Sequence, residues 1–216
     1  MTVPSQLGRP VGANGEETRQ RIMAAAMRCV AEKGYSHASI REIAREARMT
    51  SGSLYHYFPN KSELLKATVA EIETIALPRL RGAGQRSGDV VARLEAVLDE
   101  ADRLIREYPH LAAFERAIRA ESAAYLRRGD LNRVGFKALR DIIADIVDDA
   151  VQRGGLAADS DPAGTVHAIY ALTRGLTEQA AILAPDAYHA TLQSAKKLIR
   201  GTLFGRPPKR PIRSAT

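Results

Sequence analysis

Apolar residues recur at helical spacing along most of the chain. The first apolar stripe predicts a helix over roughly residues 17–33, and its members, spaced i, i+3, i+4, i+7 and i+8, are Ile22, Ala25, Ala26, Cys29 and Val30. Gly34 follows Lys33, which is typical of a left-handed cap at a helix C-terminus. No segment alternates with a period of two between turn signals, so we expect no strand. The pattern predicts an all-α fold.

Two short helices are predicted next. Ser39 with Glu42 three positions later forms a capping box that opens the second helix. Thr50 is placed to cap a third helix that runs to about Phe58, and Leu54 and Phe58 share its inward face. Two short helices with a tight connection form a helix-turn-helix.

The rest of the chain continues as helices. Asn60 with Glu63 repeats the cap-and-acid pattern and opens a fourth helix, which we expect to end at about Leu77 because Pro78 follows. Five more helical segments are predicted, over about residues 89–107, 110–127, 130–153, 162–183 and 186–204. The predicted architecture is an N-terminal three-helix helix-turn-helix domain followed by a larger C-terminal helical domain.

Charge is distributed unevenly along the 216 residues, whose net charge is +7. Residues 1–66 carry ten Lys/Arg and six Asp/Glu. Residues 67–200 carry eighteen Lys/Arg and nineteen Asp/Glu, and residues 201–216 carry four Lys/Arg and no Asp/Glu. A basic N-terminal unit suits a polyanion partner. We therefore divide the chain into a flexible N-terminal arm (1–15), a helix-turn-helix DNA-binding domain (16–66), a helical domain (67–204) and a disordered basic tail (205–216).

Composition excludes several classes of protein. With 45% hydrophobic and 26% charged residues and no apolar run long enough to cross a membrane, the chain is expected to be a cytoplasmic protein with no membrane partner. The single cysteine, Cys29, cannot form an internal disulfide and is expected to be a buried thiol.

The third predicted helix carries polar and aromatic side chains on its outer faces. With Leu54 and Phe58 inward, its outer positions are Ser51, Ser53, Tyr55, His56 and Tyr57. Short hydroxyl-bearing side chains let a helix approach the major groove and bond phosphates or base edges, and Thr50, Tyr57 and Lys61 lie where they could bind the adjacent strand. The alternative is that these aromatic residues belong to the core, which holds for Leu54, Phe58 and part of Tyr55.

The run from Thr18 to Leu65 resembles the DNA-binding domain of the tetracycline-repressor (TetR) family of bacterial transcription regulators. The shared motifs are Lys33-Gly34-Tyr35, Ser39-Ile40-Arg41-Glu42-Ile43-Ala44, Gly52-Ser53-Leu54-Tyr55-His56-Tyr57-Phe58 and Asn60-Lys61. The resemblance implies base contacts from Ser51, Ser53 and His56. It implies phosphate contacts from Thr50, Tyr55, Tyr57 and Lys61, with Arg41 on the flank.

One turn position departs from the family pattern. The residue after Ala47 is commonly glycine in the family, and here it is Arg48. We expect Arg48 to adopt a left-handed backbone conformation at a cost of about 1 kcal/mol and to gain a phosphate contact.

The last two helices are the expected dimer interface, because a reader with one recognition helix per chain usually binds a near-palindrome as a dimer. The candidates are Ala168, Ala171, Gly175, Leu192, Ala195, Ile199 and Leu203. Spacing alone leaves open that these stripes fill the protomer's own core. The family resemblance favours the interface.

The resemblance also implies a ligand pocket in the C-terminal domain, whose occupancy moves the fourth helix and alters the separation of the two recognition helices. The candidate lining residues are His110, Phe114, Ile118, Tyr125, Phe136, Leu139, Ile143, Tyr170 and Arg174. Each apolar member could instead be plain core, and each polar one could lie on the surface or at the dimer interface.

The expected function is a ligand-responsive transcriptional regulator, most simply a repressor released from an operator in double-stranded DNA by a small, mainly apolar effector. The alternatives are a ligand-independent DNA-binding protein and an enzyme on a helical scaffold. The enzyme is disfavoured because the sequence has no metal-ligand spacing, nucleophile elbow or phosphate-binding glycine loop. We assign no catalytic residue, metal or cofactor.

Overall fold

The computed structural model describes residues 11–125 and 134–203, and it describes side chains for residues 15–121 and 138–203. Every regular element in these residues is a helix, which confirms the all-α prediction. The helices are α1 (Val11–Lys33), α2 (Ile40–Glu46), α3 (Ser51–Tyr55), α4 (Lys61–Gly84), α5 (Val90–Glu107), α6 (Leu111–Tyr125), α7 (Val134–Gln152), α8 (Pro162–Ala180) and α9 (Pro185–Ile199). Over the same residues, no helix has the length and apolar character needed to cross a bilayer.

The predicted helix starts are formed by side-chain caps. The Glu42 backbone N–H donates to the Ser39 hydroxyl, and the Glu42 carboxylate accepts from the Ser39 backbone N–H at 3.1 Å, which completes the capping box of α2. Thr50, Asn60 and Asp89 each cap the next helix by accepting a backbone N–H three residues on. These local bonds fix where α2 to α5 begin.

The turn between α2 and α3 is a Schellman motif with an arginine at its left-handed position. Arg48 has φ of 56°, as expected from the sequence. The backbone N–H of Met49 donates to Ala44 at 2.9 Å, and that of Arg48 donates to Arg45 at 3.1 Å. These two bonds satisfy the last carbonyls of α2 and hold Arg48 in a conformation that glycine adopts at lower cost.

The core of the helix-turn-helix includes residues from the larger domain. Leu54 and Phe58, predicted to face inward, are 0% and 2% exposed. Their cluster also contains Leu64 of α4 and Phe114 and Ile118 of α6. The helix-turn-helix is therefore closed by α6, and the two parts of the chain share packed side chains.

Several helix boundaries differ from the prediction, most of all those of α1 and α4. Helix α1 begins at Val11, inside the predicted flexible arm, and α4 continues through Pro78 to Gly84. A proline in a helix interior costs about 3 kcal/mol, but the last turns of α4 bury Leu80 and Ala83 in the core of the C-terminal domain. Packing that the sequence pattern does not reveal thus offsets the proline. The remainder of the predicted arm, residues 1–10, and the tail 205–216 lie outside the described residues.

The C-terminal domain packs around α4, α5 and α7. Ile142 and Ile146 of α7 meet Val97 of α5 in one buried cluster. Helices α8 and α9 pack on this centre through two smaller clusters, one of which joins Leu176 of α8 to Leu192 of α9. This arrangement places α4 between the helix-turn-helix and the interior of the larger domain.

Candidate DNA-binding surface and interior cavity

Helix α3 presents its polar residues outward. The Tyr55 side chain is 51% exposed, and Ser53 and His56 are exposed beside it, while Ser51 is half-buried. Tyr57 is also half-buried and packs against the helix-turn-helix core. The outer surface of α3 therefore offers hydroxyl groups, an imidazole and one largely exposed ring, which are groups that bond to phosphates and base edges.

Two hydroxyl groups at the start of α3 are already engaged with each other. Thr50 Oγ1 accepts from the Ser53 backbone N–H at 3.1 Å and lies 2.9 Å from the Ser53 hydroxyl. Thr50 therefore holds the start of the helix and the orientation of Ser53. Both side chains remain exposed, so each hydroxyl keeps at least one lone pair or its O–H group free for a duplex.

The charged residues of α2 separate into two stripes. Glu42 and Glu46 face α1, where Glu42 pairs with Lys33 and Glu46 pairs with Arg28 at 3.0 Å. The Lys33 ammonium and the two Ser39 donors lower the pKa of Glu42 to about 2, so it stays ionised. The acids of α2 are thus neutralised within the domain.

The basic stripe of α2 is Arg41 and Arg45, one helical turn apart, and Arg48 follows in the turn. All three are exposed, and none makes an ion pair with another described residue. Arg45 was missed by the sequence analysis. Its i, i+4 spacing from Arg41 was the available signal. Together the three guanidinium groups form a cationic flank next to α3.

Lys61, for which the family resemblance implies a phosphate contact, bonds within the protein in this structure. Its ammonium group donates to the backbone carbonyl of Tyr35 and lies 4.5 Å from the centre of the Tyr35 ring. Burial lowers the pKa of Lys61. In this structure the side chain joins the start of α4 to the turn after α1.

The C-terminal domain contains a cavity of about 120 Å³, called here the interior cavity. Its wall is formed by α4, α6, α7 and α8. The lining residues are Val69, Ile72, Glu73, Ala76, Leu77, Leu80, Phe114, Glu115, Ile118, Arg119, Leu139, Arg174 and Thr177. Four of the predicted pocket residues are among them: Phe114, Ile118, Leu139 and Arg174.

The other predicted pocket residues are elsewhere. Ile143 is fully buried in the packing of α7 on α8, so it belongs to the core. Tyr170 packs at the edge of the same cluster and does not line the interior cavity. His110 lines a different cavity of about 230 Å³ between α1, α4 and the α5–α6 connection. The side chains of Tyr125 and Phe136 lie outside the described residues.

The sequence analysis missed the contribution of α4 to the interior cavity, which includes Ile72, Glu73 and Leu77. The segment Val69–Leu77 contains two acids in an otherwise mainly apolar run, and that irregularity was the only available signal. The amphipathic pattern shows that α4 is half-buried. It does not show which of its faces borders an empty space.

Charged groups lie on the otherwise apolar wall of the interior cavity. Glu115 accepts from Arg119 at 3.3 Å, and Arg119 lies 3.8 Å from Glu178. Burial raises the pKa of Glu115, which Glu73 raises further, and burial lowers the pKa of Arg119. The pKa of Glu73 is raised by burial as well. The cavity therefore combines an apolar wall with carboxylates that are partly shielded from water.

The predicted dimer residues fall into two groups. Ala168, Ala171 and Gly175 of α8 lie on its exposed face. Leu192 and Ala195 of α9 are buried against α5 and α8 of the same chain, so they are core residues of the protomer. Their stripe is apolar because the protomer itself covers it.

Ile199 packs at the edge of the same core, and Leu203 is exposed beyond the end of α9. Two further large apolar side chains near these helices are open to solvent, Ile182 at 60% and Leu198 at 47%. The exposed surface of α8 and α9 therefore combines small residues with large uncovered apolar ones.

Comparison with known proteins extends these observations. The sequence family described as "Bacterial regulatory proteins, tetR family" matches residues 22–68. The chain is 30% identical over 139 residues to the HTH-type nicotine-responsive transcriptional repressor HdnoR of Paenarthrobacter nicotinovorans, an alignment that covers 63% of this chain and 71% of that protein. It is 27% identical over 194 residues to the HTH-type transcriptional regulator UidR of Escherichia coli K12, covering 87% and 94%.

A solved structure of the fatty acid degradation regulator FadR from Bacillus halodurans has the same fold. It aligns with a TM-score of 0.71 at 18% identity, over 93% of this chain and 100% of that one. A helix-turn-helix with an outward third helix, joined to a helical domain with an interior cavity, is the architecture of a DNA-binding transcriptional regulator. The chain belongs to the tetR family of bacterial regulatory proteins.

Proposed function

We propose that this regulator is a homodimeric repressor that binds a near-palindromic operator in the cytoplasm and is released from it by a small, mainly apolar effector. The contact most relevant to this proposal is made by Phe114 and Ile118, which line the interior cavity and also pack in the helix-turn-helix core. A ligand that displaces either side chain must also disturb the packing beneath α3.

The DNA contacts are proposed from exposure and chemistry. The duplex-facing groups are the base-contacting candidates Ser51, Ser53 and His56, the phosphate-contacting Thr50, Tyr55 and Tyr57, and the cationic flank of Arg41, Arg45 and Arg48. Neutralised phosphates would make binding weaken steeply with salt. Lys61 is omitted from this set because its ammonium group is bonded to Tyr35.

The dimer is proposed to form through the exposed face of α8 and the adjoining surface of α9. Ala168, Ala171 and Gly175 would let the partner's helices approach closely, and Leu198 and Ile182 would be covered. Two chains are needed because one recognition helix reads a single half-site. Repression and ligand response are supported by the name of the relative from Paenarthrobacter nicotinovorans, a nicotine-responsive repressor.

Filling the interior cavity with a side chain tests the coupling between cavity and DNA. Leu77→Trp places a large ring into the cavity, and we expect it to lower the affinity for operator DNA, on the order of tenfold. Thr74→Trp is the matched control because Thr74 is exposed on the same helix and does not line that cavity. Operator DNA would come from footprinting the region beside the protein's own gene, with affinity measured by fluorescence anisotropy.

Equal affinity of the two variants and the original protein would favour a ligand-independent DNA-binding protein. A reporter fused to the footprinted promoter separates repression from activation, since loss of the gene should raise expression from a repressed promoter. Lower expression on gene loss would contradict repression and leave the DNA-binding assignment intact.

A further inference from the structure

Glu73 lies on the α4 wall of the interior cavity. The same lining includes the apolar side chains of Ile72 and Leu77 on its own helix and of Phe114 and Leu139 on facing helices. Among the described residues, none donates a hydrogen bond to Glu73, and no Lys, Arg or His comes within ion-pairing distance of it. A half-buried carboxylate with no counter-ion weakens a fold, because it loses hydration without gaining a partner.

The other charged groups of the interior cavity have partners. Arg119 lies between Glu115 at 3.3 Å and Glu178 at 3.8 Å, and Arg116 lies 3.9 Å from Glu178. Arg174 lies 5.9 Å from the centre of the Tyr170 ring. The guanidinium groups on this wall are therefore engaged with the protein.

A second carboxylate, that of Glu115, lines the same cavity as Glu73. The charge of Glu73 helps to raise the pKa of Glu115. A carboxylate that lies beside an apolar surface and lacks a cationic partner can accept a positive charge from a ligand. An incoming cation would stabilise the ionised form of Glu73.

The size of the interior cavity limits its occupant. At about 120 Å³ it is close to the roughly 150 Å³ apolar cavity that is known to bind benzene. It therefore suits one ring or a short chain, with a polar end placed at the wall.

We propose that the effector is a small lipophilic cation, with an amine or quaternary ammonium group paired to Glu73 and an apolar body packed against Phe114 and Leu139. This assignment rests on the proposed function, because it names the chemical class of the ligand for the same cavity. It gives Glu73 the counter-ion that the protein does not supply. It also places a charged contact on α4, the helix that directly follows the helix-turn-helix.

Three probes built on a single benzene ring separate the effect of charge from that of shape: benzylamine, benzyl alcohol and benzoate. Isothermal titration of the full-length protein at pH 7 should give an affinity for the amine about tenfold higher than for the alcohol, with the carboxylate weakest. Glu73→Gln should reduce the amine's affinity to that of the alcohol and leave the alcohol's unchanged. Glu71→Gln is the matched control, since Glu71 lies two residues earlier and lines the other cavity.

Equal binding of amine and alcohol by the original protein, tighter binding of the carboxylate, or no binding of the amine at millimolar concentration would each overturn the assignment. Retention of the amine preference in Glu73→Gln would overturn the role of Glu73.

Anisotropy of labelled operator DNA, measured with each probe, distinguishes this inference from the proposed function. If the alcohol or the carboxylate releases DNA as well as the amine does, the ligand-responsive function is supported and the assignment of a cationic effector is contradicted. If the amine binds through Glu73 but DNA affinity does not change, the cation site is supported and the proposed release of DNA by an effector is contradicted.

Discussion

The Lys61 ammonium group lies 4.5 Å from the centre of the Tyr35 ring and donates a hydrogen bond to the backbone carbonyl of the same residue. The contact joins the first residue of α4 to the turn that separates α1 from α2. The family resemblance implied a phosphate contact for Lys61. The geometry gives it a structural role inside the DNA-binding domain.

Lys61→Met should therefore lower the free energy of unfolding, by about 1 kcal/mol, because it removes the cation–π contact and the hydrogen bond. It should leave the slope of log affinity against log salt unchanged. Lys66→Met is the control, since Lys66 is exposed and pairs with Glu63 on the surface. Denaturant unfolding and DNA titrations over a salt series measure the two effects. If the salt slope of Lys61→Met is smaller by about 0.9, Lys61 does contact a phosphate.

The features predicted correctly from the sequence are those that local chemistry determines. Ser39 with Glu42 forms its capping box, and the C-terminal stop at Gly34 has a positive φ of 83°. Such signals depend on residues within a few positions of one another. The left-handed backbone at Arg48 was predictable for the same reason.

The features that were missed depend on what another helix contributes. Leu192 and Gly175 both occupy stripes with helical spacing, yet Leu192 is buried by its own chain and Gly175 is exposed. Periodicity shows that a face is covered without showing what covers it. Glu73 was overlooked because an unfilled space is a property of four helices together.

Arg45 should contribute to DNA affinity through charge. Arg45→Gln should weaken binding to all sequences and reduce the salt slope by about 0.9, because one phosphate contact is lost. Arg28→Gln is a matched control, since Arg28 is exposed but pairs with Glu32 and Glu46 on α1 and α2. Fluorescence anisotropy at several salt concentrations would measure the slopes. Identical salt slopes for Arg45→Gln and the original protein would show that Arg45 does not contact a phosphate.

Arg48→Gly should change stability and DNA binding in opposite directions. Glycine adopts φ of 56° without steric cost, so we expect a gain of about 1 kcal/mol in the free energy of unfolding. Loss of the guanidinium group should weaken DNA binding. Thermal melting and operator titration check the two effects. Unchanged DNA affinity in the stabilised variant would mean that Arg48 contacts no phosphate.

Gly175→Trp should convert the dimer to a monomer. Nothing in the protomer lies within 4 Å of a Cβ built at Gly175, so the side chain fits the isolated chain and obstructs only a partner helix. Gly82→Trp is the matched control, since Gly82 is also an exposed helical glycine with open space around its Cβ. Light scattering coupled to size exclusion should report a monomer for the first variant and a dimer for the second. A dimeric Gly175→Trp would place the interface elsewhere.

Glu73→Gln should stabilise the ligand-free protein near neutral pH. Burial raises the pKa of Glu73 in the folded state, so the folded chain binds more protons than the unfolded chain between the two pKa values. Stability therefore falls as pH rises through that window, and at pH 7 the full cost of the ionised carboxylate is present. The glutamine variant avoids this cost. Because Glu73 is only partly buried, we expect a gain below about 1 kcal/mol.

The gain should disappear below about pH 4, where the carboxylate of Glu73 is protonated in both states. Glu71→Gln should show no such pH-dependent gain, because the Glu71 carboxylate already accepts from Gln20 at 2.8 Å. Thermal melting of both variants and the original protein from pH 4 to pH 8 would measure the difference. A loss of stability in Glu73→Gln at pH 7 would mean that the carboxylate has a favourable partner within the protein. Glu73 would then already be paired and could not serve as the partner of a ligand cation.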